Sequence, residues 1–265
     1  MAIAIDPISP VAFSLFGLDV RWYAIAYIVG FMAGYWLLKK MMKSPKCPVC
    51  LDKKQMDDLL SAVILGVVLG GRLGYVLVYN PLFFIAHPLE IFAVWHGGMS
   101  FHGGLAGVLF ATWLFARKNK IRTLSVLDMM AVVAPIGLFC GRIANFINME
   151  IMGRPTDVPW AIVFNGYTTI PCHPSPIYEA LGEGVLLLAI MVCLYRFTNI
   201  RRHVGALTGV FGMVYAIVRV FCEQFRMPDA QIGFLTGWGL TMGQLLSLIM
   251  FVAGAVIFAI AFRKK

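Results

Sequence analysis

Four stretches of this chain carry side chains whose types and spacing suit work on an anion. Gly141 to Thr156 reads G-R-I-A-N-F-I-N-M-E-I-M-G-R-P-T, so an apolar run gives way abruptly to arginine, asparagine, glutamate and glycine. Arg142, Asn145 and Asn148 are spaced so that a continuing helix holds a guanidinium fork and two amides on roughly one face. Glu150, Gly153 and Pro155 then break the pattern, as expected where backbone leaves a helix to line a polar cavity. In the second stretch Tyr215, Arg219 and Glu223 recur every four residues and draw a polar stripe along an apolar run, with Arg226 close behind. The third places His102 before Gly103 and Gly104 at the start of an apolar run. Bare backbone at a helix N-terminus admits a phosphate or carboxylate, and an imidazole exchanges protons near neutrality. The fourth, H-P-S-P-I-Y-E-A-L-G-E, opens on Ser175 as an expected N-cap and sets Glu179 and Glu183 one helical turn apart. Those carboxylates either serve acid–base chemistry or neutralise buried arginines, and the arginines' need for counter-ions favours the second.

Membrane helices must position these residues. The chain has 265 residues, of which 60% are apolar and 13% charged, and its mean hydropathy is +0.82. That is far too hydrophobic for a soluble domain. Apolar runs recur at about 18 to 25 residues, the length that crosses a bilayer core of roughly 30 Å. They predict about seven spans: Trp22 to Leu38, Leu59 to Val78, Gly98 to Phe115, Val126 to Cys140, Ile177 to Leu194, Val204 to Phe225 and Met242 to Phe262. The expected fold is all-α: a single integral membrane domain over residues 1–265, with about seven helices around a polar cavity and a small external cap over roughly 149–176. Because a basic cluster follows the first run and no small-residue cleavage pattern is visible, that run reads as a span and not as a cleaved signal peptide.

The net charge of +9 does not imply nucleic-acid binding, because the basic residues segregate. Lys39, Lys40, Lys43, Lys46, Lys53 and Lys54 lie between spans one and two. Arg117, Lys118, Lys120 and Arg122 lie between three and four, Arg196, Arg201 and Arg202 between five and six, and Arg263, Lys264 and Lys265 at the end. The positive-inside rule puts these loops in the cytoplasm and the N-terminus outside. Every other basic residue is an arginine: Arg21, Arg72, Arg142, Arg154, Arg219 and Arg226. Arginine stays charged and grips phosphate bidentately. Arg72 among Gly70, Gly71 and Gly74 either snorkels to the interface or binds an anion. Asp128 reads as a helix-terminal residue, His87 and His96 as solvated or capping residues, and Trp22 as part of an aromatic belt. Cys47-Pro-Val-Cys50 has half the spacing of a zinc site without a second pair and reads as a turn, so no metal or other cofactor is expected. No nucleotide loop or nucleophilic serine elbow occurs.

Gathered on the external side, Arg142, Arg219, His102, Tyr23, Tyr215, Asn145, Glu150 and Glu223 describe a receptor for an anionic head group whose tails remain in lipid. Composition alone goes no further. The motifs do: H-G-G-L at His102, the G-R-I-A-N-F-I-N-M-E-I-M-G-R stretch, H-P-S-P-I-Y-E at His173, and R-V-F-C-E-Q-F-R-M-P-D-A-Q at Arg219 resemble those of the bacterial prolipoprotein diacylglyceryl transferases. The likeness runs from Trp22-Tyr23 to Met242-Gly243-Gln244, with Met227 after Arg226 where glutamine can occur.

That resemblance implies transfer of a diacylglyceryl group from phosphatidylglycerol to the thiol of the lipobox cysteine in a preprolipoprotein signal peptide. Glycerol phosphate is released, at the bacterial inner membrane. It implies that Arg142 and Arg219 are essential, with Tyr23, His102, Asn145, Gly153, Tyr215 and Glu223 at matching positions. Chemistry adds that two guanidinium groups would stabilise charge on the leaving phosphate, and that His102 is the first candidate to take the thiol proton, a binding or orienting role being its alternative. Two rival readings use the same arginines: a transporter or flippase for an anionic lipid, and a scaffold holding structural lipid. No inverted repeat favours the transporter.

Overall fold

The structure, a computed structural model, describes residues 2–15, 17–44, 47–94, 97–228, 233–237 and 239–263. The expectations for Lys46, His96 and Lys264–Lys265, and the Asp229–Gln231 end of the last motif, fall outside the described residues. Two compact units divide the chain: Met1–Lys40 with Asp128–Lys265, and Met41–Leu127.

The first unit opens with three short strands, β1 (Ile3–Ile5), β2 (Val11–Leu15) and β3 (Leu18–Arg21), which lead into helix α1 (Trp22–Met42). Strands β2 and β3 form an antiparallel hairpin, while β1 pairs in parallel with β4 (Ile162–Phe164), far along the chain. Trp22 anchors this entry by donating its indole N–H to the Ser9 carbonyl at 3.1 Å. Helix α5 (Thr123–Ile147) carries Pro135 in its interior. Beyond the loop that contains β4, α6 (Ser175–Glu179) continues through a π-helical segment, Ala180–Leu186, into α7 (Leu187–Phe197). Such wide turns occur mostly as single insertions within α-helices, frequently at functional sites.

Helices α8 (Ala206–Glu223) and α9 (Met242–Arg263) close the unit. They cross at Gly209 and Gly254, where a Cβ on Gly209 would lie 2.7 Å from the Gly254 carbonyl oxygen. Asp128 is not the helix-terminal residue the sequence suggests. It sits within α5, 2% exposed, and its carboxylate accepts from the Gly205 N–H at 2.6 Å and from the Thr208 N–H and hydroxyl at 2.7 Å. A carboxylate from one helix thus caps the start of another, satisfying donors that α8 lacks a side chain of its own to meet.

The second unit is built on α2 (Lys53–Val78) and α4 (Phe101–Lys118), joined by α3 (Pro81–Ala86) and a 3₁₀ turn over Pro88–Phe92. Asp52 and Gln55 form a reciprocal capping box at the start of α2. The two long helices meet along Gly66, Gly70 and Gly74 on α2 and Gly103 and Gly107 on α4. A Cβ on Gly107 would lie 2.1 Å from the Gly66 carbonyl oxygen, so only glycine permits this approach.

Five helical stretches among the described residues are long and apolar enough to cross a membrane: Lys53–Val78, Thr123–Ile147, Ser175–Phe197, Ala206–Glu223 and Met242–Arg263. Large apolar side chains on them face outward, including Leu73, Leu77, Phe221 and Ile249. Water would penalise so much exposed apolar surface, whereas lipid does not. The chain is a mostly helical, multi-pass membrane protein.

Candidate active site

In the first unit α5, α6 with its π-helical continuation, α8 and the segment just after α8 bring six charged side chains together. The Arg142 guanidinium donates to Glu183 Oε2 through Nε at 3.0 Å and Nη2 at 2.9 Å, and its Nη1 lies 2.8 Å from Glu179 Oε2. Arg219 reaches the other oxygen of Glu179 at 2.7 Å and, along its own helix, Glu223 at 2.7 Å. Its Nε lies 3.9 Å from Glu183 Oε1. Arg226 approaches Glu179 at 3.5 Å. Glu179 therefore stands between three arginines, one carboxylate oxygen facing Arg142 and the other facing Arg219 and Arg226.

Both Glu179 and Glu183 are wholly buried, whereas the arginine side chains retain 11–15% exposure. The counter-ion reading of the two glutamates holds in this geometry: each is matched by guanidinium groups, as a buried carboxylate requires. The π-helical segment begins immediately after Glu179 and includes Glu183, so these partners flank a locally widened turn. Tyr215, one turn before Arg219 on α8, lies within electrostatic range of Glu183, Arg142 and Arg219.

Glu223 is held from the far side. Thr241 donates its hydroxyl to Glu223 Oε1 at 2.8 Å and also accepts the Gln244 N–H at 3.2 Å, while the Gln244 side chain accepts the Thr241 N–H. Gly243 sits where a Cβ would fall 2.7 Å from the Glu223 carboxylate. The Met242-Gly243-Gln244 motif is thus explained by a capping box that also grips a site glutamate.

A second polar group surrounds Glu150. Tyr23 donates its hydroxyl to Glu150 Oε2 at 2.7 Å, the Asn145 amide donates to the same oxygen at 3.1 Å and to the Tyr23 hydroxyl, and Asn148 reaches Glu150 Oε1 at 3.5 Å. Glu150 is exposed, unlike Glu179 and Glu183. Helix α5 ends at Ile147, and Met149 and Ile151 take left-handed backbone angles, φ 56° and 58°, to turn the chain out of it.

The loop beyond is locked onto the end of α8. Gly153 pairs with Arg226 and donates its N–H to the His173 carbonyl at 3.1 Å. Arg154 N–H meets the Phe225 carbonyl at 2.8 Å, and Arg154 Nε donates to the Arg226 carbonyl at 3.0 Å. A Cβ on Gly153 would lie 2.2 Å from the His173 carbonyl oxygen and 2.8 Å from that of Phe225, so glycine is required between these two segments. Ser175 does not cap α6 as expected: Pro174 takes the N-cap position without a side-chain bond, and the Ser175 hydroxyl donates to the Ile151 carbonyl at 2.7 Å. The same loop seats His173 against Tyr178 and Phe225. Burial pushes the His173 imidazole below its usual pKa and the Cys172 thiol above its own.

Within the second unit His102 is exposed in the first turn of α4, edge-on to Phe101. Gly103 packs on Gly70 and Gly74, its N–H bonds to the Ser100 hydroxyl at 3.1 Å, and the Gly104 N–H bonds to the Ser100 carbonyl at 2.9 Å. Packing and capping already occupy these two glycines.

Arg72 neither snorkels nor awaits an anion. It is 5% exposed, and its guanidinium donates to the carbonyls of Ile91 at 2.9 Å, Gly98 at 3.1 Å and Ala93 at 3.2 Å, and to those of Glu90 and Gly97. Gly97 and Gly98, at φ +82° and +77°, supply backbone that other residues adopt only under strain.

The family model for prolipoprotein diacylglyceryl transferase matches residues 10–260. This chain belongs to that family. Curated relatives in the prolipoprotein diacylglyceryl transferase family agree over nearly the whole length. A phosphatidylglycerol-prolipoprotein diacylglyceryl transferase of Rhodospirillum rubrum is 50% identical over 265 residues, covering 100% of this chain and 96% of the relative. One of Methylocella silvestris is 48% identical, covering 99% and 97%. One of Wolbachia pipientis wMel is 46% identical, covering 97% of each.

Of the residues singled out in the sequence, the first unit joins Arg142, Arg219, Glu223 and Arg226 in one ionic cluster, and Tyr23, Asn145 and Glu150 in one hydrogen-bonded group. The sequence undervalued Glu179 and Glu183. Their four-residue spacing and the unmatched arginines were the available signal.

Proposed function

We propose that this chain transfers the diacylglyceryl group of phosphatidylglycerol to the cysteine thiol of a prolipoprotein's lipobox, forming a thioether and releasing glycerol phosphate. The observation that carries the reading is the convergence of Arg142 and Arg219 on one carboxylate, in a chain related over its full length to enzymes named for this reaction. The thiolate sulfur attacks the glycerol carbon bearing the phosphate, a C–S bond forms, and the C–O bond breaks with its electron pair left on the phosphate oxygen. One negative charge passes from sulfur to phosphate. Arg142 and Arg219, fixed before substrate arrives, stabilise that charge without reorganising, which is the efficient way to lower such a barrier.

Arg226 and Tyr215 complete the lipid-phosphate side, and Tyr23, Asn145 and Glu150 present hydroxyl, amide and carboxylate to the head group. Gly153 and Glu223 act by holding Arg226 and Arg219 in position. His102 is the proposed acceptor of the thiol proton on its chemistry alone. Gly103 serves that reading by letting α4 approach α2, and Gly104 by leaving the backbone beside His102 bare. In the same proposal α1 and α4 join the five long apolar stretches to make seven spans around a polar cavity, within one integral membrane domain of the bacterial inner membrane. The N-terminus is periplasmic, the C-terminus cytoplasmic, and residues 149–176 cap the periplasmic side.

Purified protein in detergent, given a lipobox peptide and phosphatidylglycerol labelled in the glycerol carbons of its diacylglyceryl group, tests the reaction. Label should stay on the peptide cysteine after mild alkali has removed the ester-linked acyl chains, because the thioether survives, with one glycerol phosphate released per transfer. Lipid movement across vesicles without a covalent product would replace the enzyme reading with the transporter.

A further inference from the structure

Among the described residues three guanidinium groups and three carboxylates pair in the ionic cluster, so the formal charge of these six is zero although two of them are proposed to receive an anion. Glu179 and Glu183, both at 0% exposure, are unassigned by the reaction itself. Fixing the arginines does not require two full buried charges, because backbone carbonyls do the same work for Arg72 in this protein. Carboxylates therefore have a consequence that carbonyls lack: they cancel charge.

Resting on the function proposed above, we infer that Glu179 and Glu183 are positioning residues that hold the arginine receptor electrically neutral, so that the dianionic product is not retained. The lipid phosphate is a diester with one negative charge. The released glycerol phosphate is a monoester whose second proton leaves with a pKa of about 6, so it carries close to two charges at neutral pH. A receptor with three uncompensated arginines in a low-dielectric setting would hold the product more tightly than the substrate and stall. A neutral one recognises phosphate through the direction of its N–H groups and gains little from the extra charge. The orientation supports this: Glu179 gives one oxygen to Arg142 and the other to Arg219, leaving both guanidinium groups partly exposed at 15% and 11%.

Two measurements test the inference on the full-length protein. On the unaltered chain, inhibition constants are compared for glycerol phosphate, a dianion at about pH 8, and its methyl diester, a monoanion. Neutrality predicts values within about threefold of each other; a dianion bound more than about tenfold better would overturn it, since that preference marks a net positive site. The same two compounds titrated calorimetrically give the answer even if the chain transfers no lipid, so failure of the proposed reaction and failure of neutrality are separable.

The second measurement uses Glu179→Gln and Glu183→Gln, which keep shape and remove one charge. Each should bind glycerol phosphate about tenfold more tightly, with kcat reduced and KM for phosphatidylglycerol unchanged or lower. A purely structural role would instead raise KM without tightening product binding, and that result would also overturn the inference. Where a variant does not fold, the comparison on the unaltered chain decides alone.

Discussion

Arg72 and Arg142 are both largely buried arginines in helices long and apolar enough to cross a membrane, and they are satisfied in opposite ways. Arg72 spends its donors on five backbone carbonyls between Glu90 and Gly98 and is closed to anything else. Arg142 faces two carboxylates, keeps 15% of its side chain accessible and shares Glu179 with Arg219. Carbonyls fix a loop in place. Carboxylates fix the guanidinium while adjusting the charge that an incoming phosphate meets. A buried arginine is therefore diagnostic of function only once its partners are known.

The difference is sharpest under Arg→Lys, which keeps charge and removes the planar fork. Arg142→Lys should lower kcat/KM about a hundredfold or more with a nearly unchanged melting temperature, because the loss falls on transition-state stabilisation. Gly153→Ala should come next: a Cβ 2.2 Å from a backbone oxygen forces apart the segments that hold Arg226 near Glu179. Transfer should drop about tenfold or more, read by the same assay, with weakened protection of the Arg154 amide in hydrogen exchange.

Arg72→Lys should behave in reverse. One buried and several part-buried carbonyls lose their donors, so stability falls by about 2 kcal/mol, seen as a lower thermal or denaturant midpoint, while turnover in the folded fraction persists. Asp128→Asn is the mildest, since this carboxylate, like Arg72, is committed to holding structure, here the start of α8. Loss of its charge-assisted cap on α8 should cost about 1 kcal/mol without altering KM. If Arg72→Lys abolished turnover in a folded protein, the contrast between the two arginines would collapse.

How much of this was legible beforehand follows from where the information lies. The predicted apolar runs anticipate the long helices to within several residues at each end, because a hydrophobic stretch of bilayer length is a local signal. Strands β1 and β4 escaped notice, since each has three residues and their pairing joins Ile3 to Ile162. The Arg219 to Glu223 pair could be read directly from spacing along one helix. Glu179 and Glu183 could be read only as a demand for counter-ions, because their partners arrive from α5 and α8. For Arg72 the decisive partners are carbonyls, which every residue possesses, so no side-chain pattern announces them. Asp128 and Ser175 misled for a related reason: each bonds a backbone group from a distant segment in place of its own helix terminus.

The central claim is that Arg142 and Arg219 act on one phosphate as a unit through Glu179. A double-mutant cycle of Arg142→Lys and Arg219→Lys, scored by kcat/KM for diacylglyceryl transfer, measures that coupling directly. A double variant about as slow as the slower single variant is expected. Losses that simply multiply would show two independent arginines and contradict it.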